Sequence, residues 1–117
     1  MARFHHVNLG VLPGGTDSVG DFLTGILDYR RIEVTPDLKA RGVLWYETED
    51  GSQVHLSVDP DHRPAARAHT AIHVGEETTV IEARLDAAGI PYSVVTIDGV
   101  RAVFCNDPAG NRWELRS

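Results

Sequence analysis

Phe4-His-His-Val-Asn-Leu-Gly-Val11 and Ala68-His-Thr-Ala-Ile-His-Val74 are two versions of one phrase. With His6 laid on His69, Leu9 falls on Ile72 and Val11 on Val74. Each phrase leads through a helical stretch and two strand-like stretches to a matching close. The first close is Gly51-Ser-Gln-Val-His55-Leu56, and the second is Gly110-Asn-Arg-Trp-Glu114-Leu115. Residues able to bind a metal therefore hold corresponding places at the start and end of both units: His6 and His55 in the first, His69 and Glu114 in the second.

The stretches between fill in the pattern. Residues 3–11 alternate apolar and polar, as a two-faced strand does. Pro13-Gly14-Gly15 is a turn, and Thr16 or Asp17 caps a helix. Its apolar residues Val19, Phe22, Leu23, Ile26 and Leu27 have the spacing of one helical face. Arg31–Thr35 reads as a strand ended by Pro36. Val43–Thr48 and Gln53–Val58 are strands joined at the hairpin signal Asp50-Gly51. The second half repeats this order. His69–Gly75 is a strand, and residues 77–88 form a helix with Val80, Ile81, Leu85 and Ala88 inward and Gly89 ending it. Tyr92–Ile97 and Arg101–Cys105 flank the turn Asp98-Gly99, and Asn111–Arg116 is the last strand. The expectation is a single α+β domain of two βαβββ modules, residues 1–60 and 68–117 with a linker at 61–67, forming a curved mixed sheet around a cavity.

Bulk properties bound the function. One compact domain is what 117 residues support. A net charge of −6, with ten scattered Arg and the one Lys39, argues against nucleic acid as a partner. The single cysteine, Cys105, precludes an internal disulfide and fits a reducing, cytoplasmic setting. No apolar run has the length of a membrane span or a signal peptide.

Period-2 alternation says which side chains share a face. His6 goes with Asn8; Gln53 and His55 with Ser57; His69 with His73; Arg112 and Glu114 with Arg116. If these faces line a common hollow, its floor holds imidazoles and a carboxylate, while Val7, Leu9, Val54, Leu56, Ile72, Trp113 and Leu115 pack on the helices. Such a floor suits one divalent Zn, Fe, Ni, Co or Mn ion with positions left for water or substrate. His55 is open to three readings: fourth ligand, acid or base beside the metal, or bystander. His73 and Asn8 are candidate substrate contacts. His5 should face away from His6, His62 should be solvated in the linker, and Cys105 has no partner that would activate it.

Three pieces carry a family resemblance: His6-Val-Asn-Leu-Gly-Val11, Leu85-Asp-Ala-Ala-Gly-Ile-Pro-Tyr92, and Asp107-Pro-Ala-Gly-Asn-Arg-Trp-Glu114-Leu115. The last is similar to an Asp-Pro-x-Gly-Asn-x-x-Glu-Leu signature. The chain resembles the vicinal oxygen chelate superfamily, which includes glyoxalase I, methylmalonyl-CoA epimerase, extradiol dioxygenases, and fosfomycin and bleomycin resistance proteins. The resemblance implies a glyoxalase-like fold, with His6, His69 and Glu114 as metal ligands and Glu114 and His55 as catalytic candidates. His55 stands where glyoxalase I has Glu and the epimerase has Gln. The resemblance also turns Trp45 and Phe104, which occupy corresponding places, toward the substrate. The implied function is a metal-dependent lyase, isomerase or ring-cleaving dioxygenase acting on a small oxygen-chelating molecule. The alternative is a metal-free antibiotic-binding protein of the bleomycin-resistance type. A homodimer is expected on separate grounds, because a small chain with open, curved sheets leaves edges and apolar surface that pairing covers.

Overall fold

A computed structural model describes residues 1–117. The elements in order are β1 (His6–Val11), α1 (Thr16–Gly25), β2 (Arg30–Ile32), α2 (Pro36–Ala40), β3 (Val43–Glu47), β4 (Gln53–Val58), β5 (His69–His73), α3 (Thr78–Ala88), β6 (Tyr92–Ile97), β7 (Val100–Asn106) and β8 (Arg112–Arg116). The chain divides into two compact units, Met1–Arg63 and Pro64–Ser117.

Each unit carries one four-stranded mixed sheet. The strand order is β1-β4-β3-β2 in the first and β5-β8-β7-β6 in the second. In both, the first and last strands of the unit are parallel neighbours, and the remaining pairs are antiparallel. This is βαβββ twice, an α+β arrangement, with a short extra helix in the first copy.

Two-residue alternation gives each sheet one apolar face. In the first unit Val11, Leu44, Tyr46, Val54 and Leu56 are buried, together with Val19, Phe22, Leu23, Ile26 and Leu27 from α1 and the turn after it. In the second, Val103, Cys105, Trp113 and Leu115 are buried with Ile81 and Leu85 of α3. Helix α3 ends as its sequence requires: Gly89 takes φ 69°, and the Ile90 amide bonds the Leu85 carbonyl at 2.9 Å.

Two local expectations are corrected, and one short helix is added. The strand expected at Arg31–Thr35 is only Arg30–Ile32, because Thr35 is used otherwise. Its hydroxyl accepts from the Leu38 amide at 3.3 Å, capping α2, with Pro36 in the first turn. Thr-Pro-Asp is an N-cap, a proline preset for the first turn and an acid at the dipole's positive end, so α2 was signalled. Val80 is 41% exposed, while Glu82, one turn before Asp86, is buried. The inward row is Thr78, Ile81, Glu82 and Leu85, and Glu82 is neutralised by two hydrogen bonds from Arg101 of β7, at 2.7 and 3.1 Å.

Close helix-to-sheet approach in the first unit depends on Gly20. A Cβ there would collide with the Tyr46 hydroxyl oxygen. Gly20→Ala is therefore expected to destabilise the chain despite the roughly 1 kcal/mol that alanine gains in helix propensity. In a Tyr46→Phe background the same change becomes neutral or stabilising. Urea unfolding of the four chains measures this coupling, and a value near zero would contradict the packing described.

Candidate metal and substrate site

The register places the candidate donors. In the first unit Asn8 lies opposite His55 across β1–β4, with His6 opposite Gln53 and Trp45 of β3 opposite His55. In the second, Ala71 lies opposite Glu114 across β5–β8, with His69 opposite Arg112 and Phe104 of β7 opposite Glu114. The two copies thus superimpose position for position: His6 on His69, His55 on Glu114, Trp45 on Phe104, Gln53 on Arg112. All these residues stand on the sheet face away from the apolar core.

The second unit holds a paired donor set. His69 Nδ1 lies 2.9 Å from the Arg67 carbonyl, and His69 Nε2 lies 3.1 Å from Glu114 Oε1. A carbonyl only accepts, so Nδ1 carries a proton. A carboxylate oxygen faces Nε2, which is itself an acceptor unless it holds a second proton. Two acceptors this close require a cation, either a proton on Nε2 or a metal ion. Two donors each ~2.1 Å from one ion, at ordinary coordination angles, stand roughly 3.0–3.4 Å apart. The observed 3.1 Å matches this separation. Glu114 is only 8% exposed, and its other oxygen lies 3.2 Å from Arg116 Nε. That nitrogen is buried and the contact is too poorly aligned to count as a hydrogen bond, so Arg116 acts on Glu114 mainly through charge.

The first unit holds a stack of rings. His55 lies between His6 (centroids 4.0 Å apart, planes 17° apart) and Trp45 (4.5 Å, 12°). Burial, and then the neighbouring His6 and His5, push the His55 pKa down to about 4, so its ring is neutral at pH 7. His55 Nε2 lies 2.8 Å from Gln53 Oε1, Gln53 Nε2 donates to Glu47 Oε2 at 3.2 Å, and Arg30 donates to Glu47 Oε1 at 3.1 Å.

His55 and His6 are thus side by side with their rings stacked rather than edge to edge. A metal bonded to an imidazole nitrogen lies in the plane of that ring, and in this arrangement the two planes are 17° from parallel. Neither unit by itself gathers three His, Cys, Asp or Glu side chains into a metal site. The structure brings together His6 with His55, and His69 with Glu114.

The other candidates are placed as follows. Asn8 Oδ1 accepts from Ser57 at 2.8 Å, which leaves its amide hydrogens directed elsewhere. His73 Nδ1 is 3.0 Å from the terminal Ser117 oxygen. Phe104 meets the His69 ring edge-on at 5.5 Å and carries the Arg112 guanidinium 4.6 Å above its centre. His5 does not turn away from His6; their Nδ1 atoms are 2.8 Å apart, because His5 precedes β1 and strand alternation does not govern it. His62 is not a free linker residue, since its ring occupies the space a Cβ on Gly10 would enter, 2.5 Å from Nδ1. Cys105 is buried, and burial followed by Asp107 raises its thiol to about 12, which removes it as a nucleophile.

The Asp-Pro-x-Gly-Asn signature has a structural cause. Asp107 is 3% exposed, and its carboxylate accepts from the Ala109 and Asn111 amides, the Asn111 side chain and the Trp113 indole, at 2.9–3.3 Å. That carboxylate closes the turn into β8 and fixes Glu114 on its face. The residues the sequence reading underused are Glu47 and Arg30. Their signal was available: Glu47 lies directly opposite Gln53 in any hairpin turning at Asp50-Gly51.

No family model and no curated protein matches the chain by sequence. Solved structures do. A protein from Bacillus anthracis described as belonging to the glyoxalase family aligns with a TM-score of 0.86 at 25% identity, over 98% of this chain and 93% of that one. A glutamate-to-glutamine variant of FosX, a fosfomycin resistance protein of Listeria monocytogenes complexed with Mn(II) and 1S,2S-dihydroxypropylphosphonic acid, aligns at 0.78 and 17% identity, over 99% and 92%. A glyoxalase/dioxygenase from Nostoc punctiforme aligns at 0.76 and 22%, over 97% and 89%. The chain has the glyoxalase-like fold of two βαβββ modules. This is the fold that the resemblance of the sequence motifs implies.

The neutral His55 has a consequence for stability. Its folded pKa, about 4, lies below the ordinary 6.5, so between these values the unfolded chain binds a proton that the folded chain does not. The metal-free parent should lose stability as pH falls from 6.5 toward 4, more than His55→Phe does. Urea unfolding in chelator across that window tests this; identical pH dependence of the two chains would contradict it.

Proposed function

We propose that the chain is a metal-dependent enzyme of the glyoxalase/dioxygenase type, acting on a small substrate that presents two neighbouring oxygens. His6, His69 and Glu114 are the residues that hold the ion, one of Zn, Fe, Ni, Co or Mn. The observation that carries this reading is the His69–Glu114 pair, whose facing ring nitrogen and carboxylate oxygen need a cation, a proton or a metal ion, between them. Two imidazoles and one carboxylate are a donor set that suits such ions and leaves positions open. When bound, the ion supplies Lewis-acid stabilisation of an oxygen on which negative charge develops.

The chain's own residues do the rest. Glu114 contributes negative charge from a largely buried position, which holds a dication more firmly than a solvated carboxylate would. The Asp107 turn and Arg116 keep it in place. Trp45 and Phe104 offer flat apolar surface on the donor faces, and Asn8 and His73 are hydrogen-bonding groups for substrate. No helix is long and apolar enough to cross a membrane.

Zn²⁺ titration against a competing chelator tests the ligand set. Glu114→Gln and His69→Ala should each weaken binding tenfold or more while leaving the circular dichroism spectrum unchanged. Parent-like affinity in both variants would refute the assignment, and a parent chain that takes up no metal would favour the metal-free binding protein.

We also propose that the protein is a homodimer. The edge strand β2 is three residues long with two arginines, whereas its counterpart β6, Tyr92–Ile97, is six uncharged residues. Val80, Val94, Val95 and Val100 of the second unit are all exposed. A long uncharged edge with apolar neighbours is a surface that pairing covers. Sedimentation equilibrium should give twice the chain mass of 12.8 kDa; a single-chain mass at micromolar concentration would contradict it.

A further inference from the structure

The hydrogen-bond chain that ends on His55 has a fixed direction. Glu47 receives one bond from Arg30 at 3.1 Å and one from Gln53 at 3.2 Å. A carboxylate only accepts, so the Gln53 atom facing it is the amide nitrogen. The atom facing His55 is then the amide oxygen, which also only accepts. His55 must therefore donate, and its proton sits on Nε2, 2.8 Å from Gln53 Oε1. A neutral imidazole with its proton on Nε2 has its lone pair on Nδ1. The tautomer follows from the polarity of three groups, beginning at an arginine that cannot accept.

The ring is also held in place. Trp45 covers one face and His6 the other, at 4.5 and 4.0 Å between centres. Swinging His55 into the plane a His6-bound ion would occupy means leaving Trp45 and breaking the Gln53 bond. His6 has neither restraint: it is exposed at the start of β1, and its one hydrogen bond is to His5.

We propose that His55 is not a ligand of the metal but a fixed hydrogen-bond acceptor next to it, clamped as the Nε2–H tautomer by Gln53 and offering its Nδ1 lone pair to a substrate hydroxyl or to water. Gln53 is a positioning residue, and Glu47 and Arg30 orient Gln53. The second unit explains why the clamp belongs to one copy only. The counterpart of Gln53 is Arg112 and that of Glu47 is Asn106, and no equivalent chain reaches Glu114. One copy supplies the anchored carboxylate, the other a directed acceptor. The non-ligand role of His55 rests on the metal reading above; its tautomer does not.

Two measurements separate the parts. Long-range ¹H–¹⁵N NMR of the uniformly labelled, metal-free chain at pH 7, with His55 assigned by its absence in His55→Phe, reads the tautomer. His55 should be protonated on Nε2 alone, and Gln53→Met, which keeps the length of the side chain but removes the acceptor, should give a mixture of tautomers. An Nδ1–H ring, or a tautomer that Gln53→Met does not alter, overturns the clamp. Zn²⁺ titration then tests the role. Phenylalanine preserves the flat ring between Trp45 and His6, so His55→Phe should bind Zn²⁺ within threefold of the parent, whereas His6→Phe loses tenfold or more. Equal losses in the two variants make His55 a ligand and overturn the proposal. If the parent binds no Zn²⁺, the metal reading and the ligand-neighbour role fall together, and the NMR result still decides the clamp.

Discussion

The parallel pairing of the first and last strands within each unit is the constraint on which everything else depends. It forces β1 beside β4 and β5 beside β8, so residues at the two ends of each unit become neighbours. Once those pairs form, the strict two-residue period decides the rest. A slip of one residue would turn His55 or Glu114 into the apolar core and Leu56 or Leu115 out of it. Burial of Leu56 and Leu115, both fully inaccessible, therefore fixes the register that aligns the polar faces. The hydrophobic effect positions the donors by burying their neighbours.

The two copies use the same positions for different chemistry. At the close of the first, His55 is neutral, stacked and tied through Gln53 to a surface ion pair. At the close of the second, Glu114 is flanked by Arg116 and braced by the Asp107 turn. The opening histidines differ in parallel fashion: His69 has its Nδ1 proton held by a backbone carbonyl, whereas His6 touches only side-chain rings. The two units share their backbone pairing and differ in the side chains that face away from the core, where substitution leaves the packing undisturbed.

Much of this was legible in the sequence because periodicity carries it. The repeat of His6-x-x-Leu9 in His69-x-x-Ile72, the alternation through Gln53–Val58, and Gly89 after an amphipathic run each state a backbone preference that tertiary contacts reinforce. Helix α2 escaped because it is a single turn or so with no buried residue, signalled only by Thr35-Pro36-Asp37. Val80 was misplaced because α3 has a narrow buried row that includes a charged residue, and the Glu82–Arg101 pair is a long-range fact no local pattern contains. The ring stack around His55 was illegible for a similar reason. Strand alternation says that His6, Trp45 and His55 share a face, but not whether their rings meet edge to edge or stack, and the structure stacks them.

The central claim is a metal held by two imidazoles and one carboxylate, with the third imidazole beside it. X-ray absorption at the zinc edge, on the chain loaded with one equivalent of Zn²⁺, tests this most directly. The account predicts a first shell of nitrogen and oxygen at about 2.0–2.1 Å, with outer-shell scattering that corresponds to two histidine rings. A shell with three imidazoles would make His55 a ligand, and one with no imidazole would place the metal away from His6 and His69 altogether; either would contradict the account.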